Sequence, residues 1–504
     1  MYSLTLVLLG GFSVCLALIL ICQPPSIYLL RGITNGPLVS HSFEKWESHL
    51  LPVNPLPRQH GYFLHITDMH VDENYVSGAT VESACHKLAK ESDVTSQVAG
   101  PLGAPGAKCD SPARLAQETL EWVARNWRDK LDFVVWTGDS ARHDYDKSRM
   151  RKRKDIYTLN RQVTDMVKKA FWSPHHPVLP VVPCLGNNDV FPHNAIDEKD
   201  HDLLSFYEKL WRPWIPTGQR KSFRQGAYFA TQVAPHLRVL SVNTLLFFNR
   251  NPLIEDCGSK NHPGDVQLAW MEDQLRLARR EKAKVYIMGH VPPSARDFRP
   301  TCLDNYMATV SQYSDVIMGQ FFGHLNMDHF MLYDASQPTN QTFRQTDEDK
   351  GGDLHATRDI TEYVSWLRDM YSALDPVTSD PNKLPDYPAS PLVVLQVAPS
   401  VLPIYWPAIR IYRYETNPSA SNYGTLLGYA QYHANQASYD AVPGKPLEYQ
   451  LEYTTDTLYG MPDLSPKSYH ALAKRMVMGD AIGNATWTAY IRNMFVQARN
   501  NEFS

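Results

Sequence analysis

Five short segments share one grammar, an apolar run that stops at a side chain able to hold a metal ion. They are Phe63-Leu-His-Ile-Thr-Asp68-Met-His70, Phe133-Val-Val-Trp-Thr-Gly-Asp139, Gly186-Asn187-Asn188-Asp189, Ile287-Met-Gly-His290 and Phe321-Phe-Gly-His324-Leu-Asn326. Aspartate, histidine and asparagine, with no cysteine among them, are hard-to-borderline donors. They suit a pair of Mg, Mn, Co or Zn ions rather than a sulfur-bound structural zinc. Such a pair activates water and holds a phosphoryl group for in-line displacement. The expected activity is hydrolysis of phosphate esters or anhydrides.

Spacing supports this. Alternate residues of an extended segment share a side, so Asp68 and His70 can grip one ion together. Asp139 has two oxygens, follows a glycine that lets the chain turn, and is placed to bridge two ions. Asn187 offers a neutral carbonyl oxygen, and His290 and His324 each follow a glycine at the end of an apolar run. A lone Gly-His is usually a satisfied polar residue. Five such segments in this order exceed what folding alone requires.

The elements that must position them are strands and helices in alternation. Strands are predicted at 61–67, 131–137, 178–185, 236–243, 283–289, 314–322, 391–398 and 409–414, all rich in Val, Ile, Phe and Tyr. Ser111-Pro112 is expected to cap a helix whose apolar face is Leu115, Leu120, Trp122 and Val123. Further helices are expected at 155–171, at about 264–282 with Val266, Trp270, Leu275 and Leu277, near 359–373, and from about 465 onward. This alternation argues for an α/β layered fold with ligands on loops at strand C-terminal ends. Residues 23–57 read as a Pro-rich stalk, 58–440 as the catalytic domain and 441–504 as a partly helical C-terminal extension. Within the catalytic domain, the polar and Pro-rich stretch 337–388 reads as a surface insertion.

With 504 residues, 43% apolar and 20% charged, the chain can bury a large core. A net charge of −4 selects no polyanionic partner, so any such preference must come from a local patch. Nucleic acid is not an expected partner. Lys147, Arg149, Arg151, Lys152, Arg153 and Lys154 place six positive charges in eight residues. They read either as a rail for a polyanion or as a solvated basic turn opening the 155–171 helix. Arg142 and His193 are expected near phosphates.

The first thirty residues carry no charged side chain. As a helix, residues 2–22 would span about 30 Å, one hydrocarbon core. The stretch is longer than a secretory signal core and lacks a basic lead, which favours an uncleaved membrane anchor over a signal peptide. The sequons at Asn340 and Asn484 would require a luminal location for glycosylation. Of seven cysteines, Cys15 and Cys22 lie in the apolar segment, leaving Cys85, Cys109, Cys184, Cys257 and Cys302. Two disulfides and one free thiol fit an oxidising lumen, with Cys184 as the buried thiol. The alternative is five reduced cysteines in a cytosolic enzyme.

The segments resemble the calcineurin-like metallophosphoesterase superfamily, whose pattern is Asp-x-His, Gly-Asp, Gly-Asn-His, Gly-His and Gly-His-x-His. Thr137-Gly-Asp-Ser-Ala-Arg-His-Asp144 is similar to the acid sphingomyelinase branch. Gly186-Asn-Asn-Asp-Val-Phe-Pro-His-Asn194 and Phe322-Gly-His-Leu-Asn-Met-Asp-His-Phe330 resemble the fungal endopolyphosphatase family more closely still. The likeness runs from the N-terminal apolar segment through the strands near 391–414.

The resemblance implies a β-sandwich flanked by helices, two divalent metal ions, and hydrolysis of internal phosphoanhydride bonds in inorganic polyphosphate. It assigns Asp68 and His70 to one ion, Asn187, His290 and His324 to the other, and Asp139 to the bridge. It pairs Cys85 with Cys109 and Cys257 with Cys302, and implies a single-pass type II protein of the vacuole membrane with a luminal catalytic domain. Two positions depart from the pattern. Asn188 replaces the histidine that aids the leaving group, and Asn326 replaces the last metal histidine, with His329 as an alternative ligand. By the same likeness His143 becomes the proton donor, the other reading being a structural hydrogen bond near the metals. A phosphoanhydride leaving group also needs less protonation than an alkoxide. Arg142 stands where purple acid phosphatases carry their iron-binding tyrosine, which disfavours that branch. The rival functions are a sphingomyelinase-like phosphodiesterase, which would want an apolar collar, and a degenerate phosphate-binding scaffold.

Overall fold

The computed structural model describes residues 60–90, 97–172, 179–335, 357–374, 391–436 and 445–498. The expected anchor at 1–22, the stalk at 23–57 and Asn340 lie outside the described residues. Among the described residues no helix is long and apolar enough to cross a membrane.

In chain order the strands are β1 (His60–Ile66), β2 (Val71–Asp72), β3 (Ser111–Pro112), β4 (Phe133–Trp136), β5 (Val181–Pro183), β6 (Phe229–Ala234) and β7 (Leu237–Ser241). They continue as β8 (Lys284–Met288), β9 (Ile317–Phe322), β10 (His329–Asp334), β11 (Leu392–Val397), β12 (Ala408–Glu415), β13 (Leu426–His433) and β14 (Gln450–Thr454). Two six-stranded sheets result, in the orders β14-β13-β12-β1-β4-β5 and β10-β11-β9-β8-β7-β6. Pairing is parallel through β1-β4-β5 and through β7-β8-β9-β11, and antiparallel toward the edges.

The parallel strands read as unbroken apolar runs because both faces are covered, and every residue of β4 is buried. Phe63 of β1 shows how the sheets meet. Its ring stacks on Phe133 and Tyr412 of its own sheet, at 4.6 and 4.8 Å between centroids. It also touches Tyr286 and Phe321 of the other sheet, at 5.6 and 5.3 Å. The expected sandwich with flanking helices is therefore present.

Helix Ala113–Asn126 buries Leu115, Leu120, Trp122 and Val123 as expected. Ser111-Pro112 does not cap it through a side chain; the pair forms β3, and the Ser111 N–H donates to the His70 carbonyl at 2.9 Å. Helix Pro263–Arg280 packs through Leu268, Met271, Leu275 and Ala278, whereas Val266 is exposed. The strand predicted at 178–185 contracts to β5, because the chain beyond Pro183 turns into the loop that carries Gly186 and Asn187.

Two expected boundaries dissolve. Helix Thr357–Ala373, placed in a surface insertion, buries Ile360, Tyr363, Leu367, Met370 and Tyr371, and the Tyr371 hydroxyl donates to the Phe330 carbonyl at 2.6 Å. The supposed extension beyond 441 supplies β14 to the first sheet and two helices, Pro466–Met476 and Ala481–Met494. The Tyr490 hydroxyl of the latter helix accepts the Phe330 N–H at 3.2 Å, so these residues belong to the same compact unit. Cys85 pairs with Cys109, Cys257 pairs with Cys302, and Cys184 is buried and free. Asn484 is exposed.

Candidate metal centre

Each donor residue lies just beyond the C-terminal end of a parallel strand. Asp68 and His70 follow β1, Asp139 follows β4, Asn187 follows β5, His290 follows β8 and His324 follows β9. The chain turns abruptly there. Asp68, His70, Asp139, His324 and Asn326 have φ of 51°, 39°, 54°, 70° and 58°, a region that costs a non-glycine residue about 1 kcal/mol or more. Hydrogen bonds between loops hold these turns. Asp68 N–H donates to the Gly138 carbonyl, His70 N–H to the Asp139 carbonyl and His324 N–H to Asp68 Oδ2, each at 3.0 Å. Gly186 is required for contact, since a Cβ there would collide with the Asp139 carboxylate.

Two of the donor triads among the described residues share Asp139, namely Asp68–His70–Asp139 and Asp139–His290–His324, with donor atoms within 4.8 Å of one another; His70–Asp110–His143 forms a third beside them. His70 Nε2 lies 3.4 Å from Asp68 Oδ1 and 3.4 Å from Asp139 Oδ2. His290 Nε2 lies 3.2 Å from Asp139 Oδ2, 2.9 Å from Asn187 Oδ1 and 3.2 Å from His324 Nδ1.

The donor chemistry fits divalent cations. Nδ1 of His70 faces the Ala141 carbonyl at 3.1 Å, and Nδ1 of His290 faces the Thr137 carbonyl at 2.7 Å. A neutral ring that donates from Nδ1 presents a lone pair at Nε2. With Nδ1 taken by a carbonyl, each ring can turn an Nε2 lone pair to a cation once its Nε2 proton is displaced, in a space already lined by carboxylate and amide oxygens. Burial opposes charge on Asp139, yet His290 and His70 hold its carboxyl well below the usual range. Burial likewise opposes charge on His290, but the Asp139 carboxylate pushes its pKa up to about 9. Positive charge is what this arrangement asks for.

Comparison with known proteins agrees with this geometry. The calcineurin-like phosphoesterase family matches residues 61–327. The chain belongs to that family. Residues 390–502 match the acid sphingomyelin phosphodiesterase C-terminal region. Endopolyphosphatase of Candida glabrata is 39% identical over 318 residues, covering 62% of this chain and 48% of that protein. Endopolyphosphatase of Saccharomyces cerevisiae is 40% identical over 286 residues, covering 55% and 42%. Endopolyphosphatase of Schizosaccharomyces pombe is 28% identical over 498 residues, covering 83% and 84%. The chain spans about half the length of the first curated relatives it matches.

In this calcineurin-like phosphoesterase, several residues beyond the donors organise the centre. Asn188 clamps the shared carboxylate, its backbone N–H donating to Asp139 Oδ1 at 2.8 Å and its Nδ2 to Oδ2 at 2.9 Å. The Asn326 side-chain oxygen is buried with no hydrogen-bond partner among the described residues, which suits a ligand role. His329 is not the alternative ligand. It faces the Tyr363 hydroxyl at 2.7 Å and the Met327 carbonyl at 3.1 Å, and burial brings its pKa down to about 3. His193 Nε2 accepts from Asn187 Nδ2 at 2.9 Å, turning the Asn187 oxygen toward His290. His193 is therefore placed to orient a ligand.

His143 stacks on His70 at 4.1 Å, and its Nδ1 lies 2.6 Å from Asp110 Oδ1. Burial would raise the Asp110 pKa, but the charge of His143 lowers it. Asp110 and Asp189 are the residues sequence reasoning left without a role. Asp189 is buried and accepts N–H groups from Asp139, Ser140, Ala141 and Gly186 at 2.8 to 3.2 Å. Its position directly after Gly-Asn-Asn was the available signal; Asp110 offered none.

The basic run divides in two. Arg142 and Arg151 are buried and bind main-chain carbonyls: Arg142 those of His143 and Arg149, Arg151 those of Arg142 and Asn188. Arg153 bonds Asp200 at 2.7 Å and the Phe191 carbonyl at 3.1 Å. These three guanidiniums fix the loop, so the expected rail narrows to the exposed Lys147, Arg149, Lys152 and Lys154. Arg142, expected near phosphates, is buried with its guanidinium on the His143 and Arg149 carbonyls.

Proposed function

We propose that the protein is an endopolyphosphatase that hydrolyses internal phosphoanhydride bonds of inorganic polyphosphate. The observation that carries this is Asp139 shared between two buried donor triads, beside an exposed basic segment. The named activity of the fungal relatives supports it. Asp68 and His70 would hold one cation, Asn187, His290 and His324 the other, with Asn326 as a further amide donor and Asp139 between them. When bound, the cations would lower the pKa of a water molecule and offset charge on the phosphoryl oxygens. Mg, Mn or Co is expected to serve at the amide-rich site at least as well as Zn. His143, with Nδ1 directed at Asp110, exchanges a proton with the leaving group through Nε2. Asn188 holds Asp139 and transfers no proton, which a phosphate leaving group tolerates.

The apolar length of residues 1–22, the two disulfides and the exposed Asn484 sequon support an anchored, luminal, glycosylated protein; the vacuole membrane as its address rests on the likeness to the fungal endopolyphosphatases alone. The C-terminal match to the sphingomyelin phosphodiesterase region favours a second reading, a phosphodiesterase. The basic rim of the site argues for the first.

The test is incubation of the full chain with long-chain polyphosphate and Mn or Mg, with products sized on a gel. Mid-length fragments are expected. Orthophosphate as the sole product would mean an exo-enzyme, faster turnover of a phosphodiester would install the second reading, and bound metal without turnover would leave a scaffold.

A further inference from the structure

The residues that follow the two half-cystines of one disulfide grip the same short segment. Cys85 pairs with Cys109; Asp110 holds His143, and His86 reaches Asp146. The buried His86 ring lies between two carboxylates, with Nε2 2.7 Å from Asp72 Oδ2 and Nδ1 2.8 Å from Asp146 Oδ2. A neutral imidazole has one N–H, so only the imidazolium satisfies both contacts. The other charges facing this cluster are Arg142, 3.5 Å from Asp72 and 3.6 Å from Glu73, and Arg149, 4.0 Å from Asp146.

Both carboxylates sit at strategic places. Asp72 lies two residues past His70, and its Oδ1 accepts the Asn74 N–H at 2.8 Å. Asp146 opens the turn that begins the basic segment, accepting the Ser148 N–H and hydroxyl at 2.8 and 2.6 Å. Arg149 returns across the gap to Asn74 Oδ1 at 2.9 Å. Among these contacts His86 alone touches both carboxylates.

We infer that His86 is a positioning residue for substrate binding, docking the head of the exposed basic segment against the loop that carries Asp68 and His70. This rests on the polyphosphate reading above. With the imidazolium in place, Asp146 is pinned and Lys147, Arg149, Lys152 and Lys154 stand at a fixed distance from the metal donors. With a neutral ring, one nitrogen turns a lone pair to a carboxylate and that bridge opens. The hydrogen bond to Asp72 raises the His86 pKa against the opposing effect of burial, with Asp146 adding to the rise. Docking therefore persists further toward neutral pH than an ordinary histidine allows. It is lost as pH climbs through the raised value. The consequence falls on the grip for a polyanion, not on the chemical step.

The experiment measures KM and kcat for long-chain polyphosphate with Mn, from about pH 5 to about pH 8.5, a span that brackets histidine titration. Wild-type, His86→Gln and Asp146→Asn full-length proteins are compared. Wild-type KM is expected to rise with pH. Both variants are expected to show a KM raised about tenfold at acid pH, the low end for one hydrogen bond between charged groups, with kcat nearly constant. His86→Gln should also lose the pH slope of KM. Wild-type turnover with unchanged KM in both variants, or a loss confined to kcat, overturns the inference. If neither variant folds, as judged by thermal melting, a wild-type KM that is flat with pH overturns it unaided. Absence of any wild-type turnover is a different failure, that of the polyphosphate reading.

Discussion

Asp110 makes the sharpest prediction about a single residue. It lies outside the two triads that share Asp139, in a third with His70 and His143, and its carboxylate fixes the ring orientation of His143 from 2.6 Å. Asp110→Asn is expected to lower kcat by about 10- to 100-fold, the usual cost of losing an outer carboxylate. Metal content, read by elemental analysis, should stay near wild type. Loss of metal together with activity would show that Asp110 serves the ions rather than His143. The donors were legible because each ends an apolar run, so sequence order and spatial order coincide. Asp110 and His86 were not. Their partners lie 33 and 60 residues away, and no local pattern announces such a contact.

At the scale of elements, the basic segment shows what composition hides. A run of cations does not say which members turn inward, and here Arg151 supports the Asn188 carbonyl while Lys152 is exposed. Changing Lys147, Arg149, Lys152 and Lys154 together to Ala is expected to weaken polyphosphate binding and flatten its dependence on salt, since fewer counterions are exchanged. Binding measured at several ionic strengths checks this; an unaltered slope would remove the segment from the substrate path. Strand legibility followed the same logic. The buried parallel strands declared themselves as apolar runs. β14, Gln-Leu-Glu-Tyr-Thr, and β13, with Gly428 inside it, carry too much polar or small character to be read without their neighbours.

For the whole molecule, the half-buried Glu452 and the buried His329 set opposite pH slopes. Burial, then the Asp328 charge, pushes the Glu452 carboxyl up from 4.5 to about 8. Its native form therefore binds a proton that the unfolded chain releases. That contribution is complete below 4.5 and fades as pH rises to about 8. His329, lowered by burial from 6.5 to about 3, acts in reverse, and its contribution fades as pH falls below 6.5. Thermal melts across this range should trace a dome, and Glu452→Gln should level its alkaline shoulder. A variant that melts in parallel with wild type at every pH would remove Glu452 as the cause.

The two triads are not equivalent in origin. Asp68, His70 and Asp139 all hang from the first sheet, whereas His290 and His324 hang from the second. A cation at the latter site would rivet one half of the sandwich to the other. Chelation should accordingly lower the melting temperature as well as stop turnover, and resupplied metal should restore both together. On this view the reaction centre doubles as a fastener across the seam of the protein.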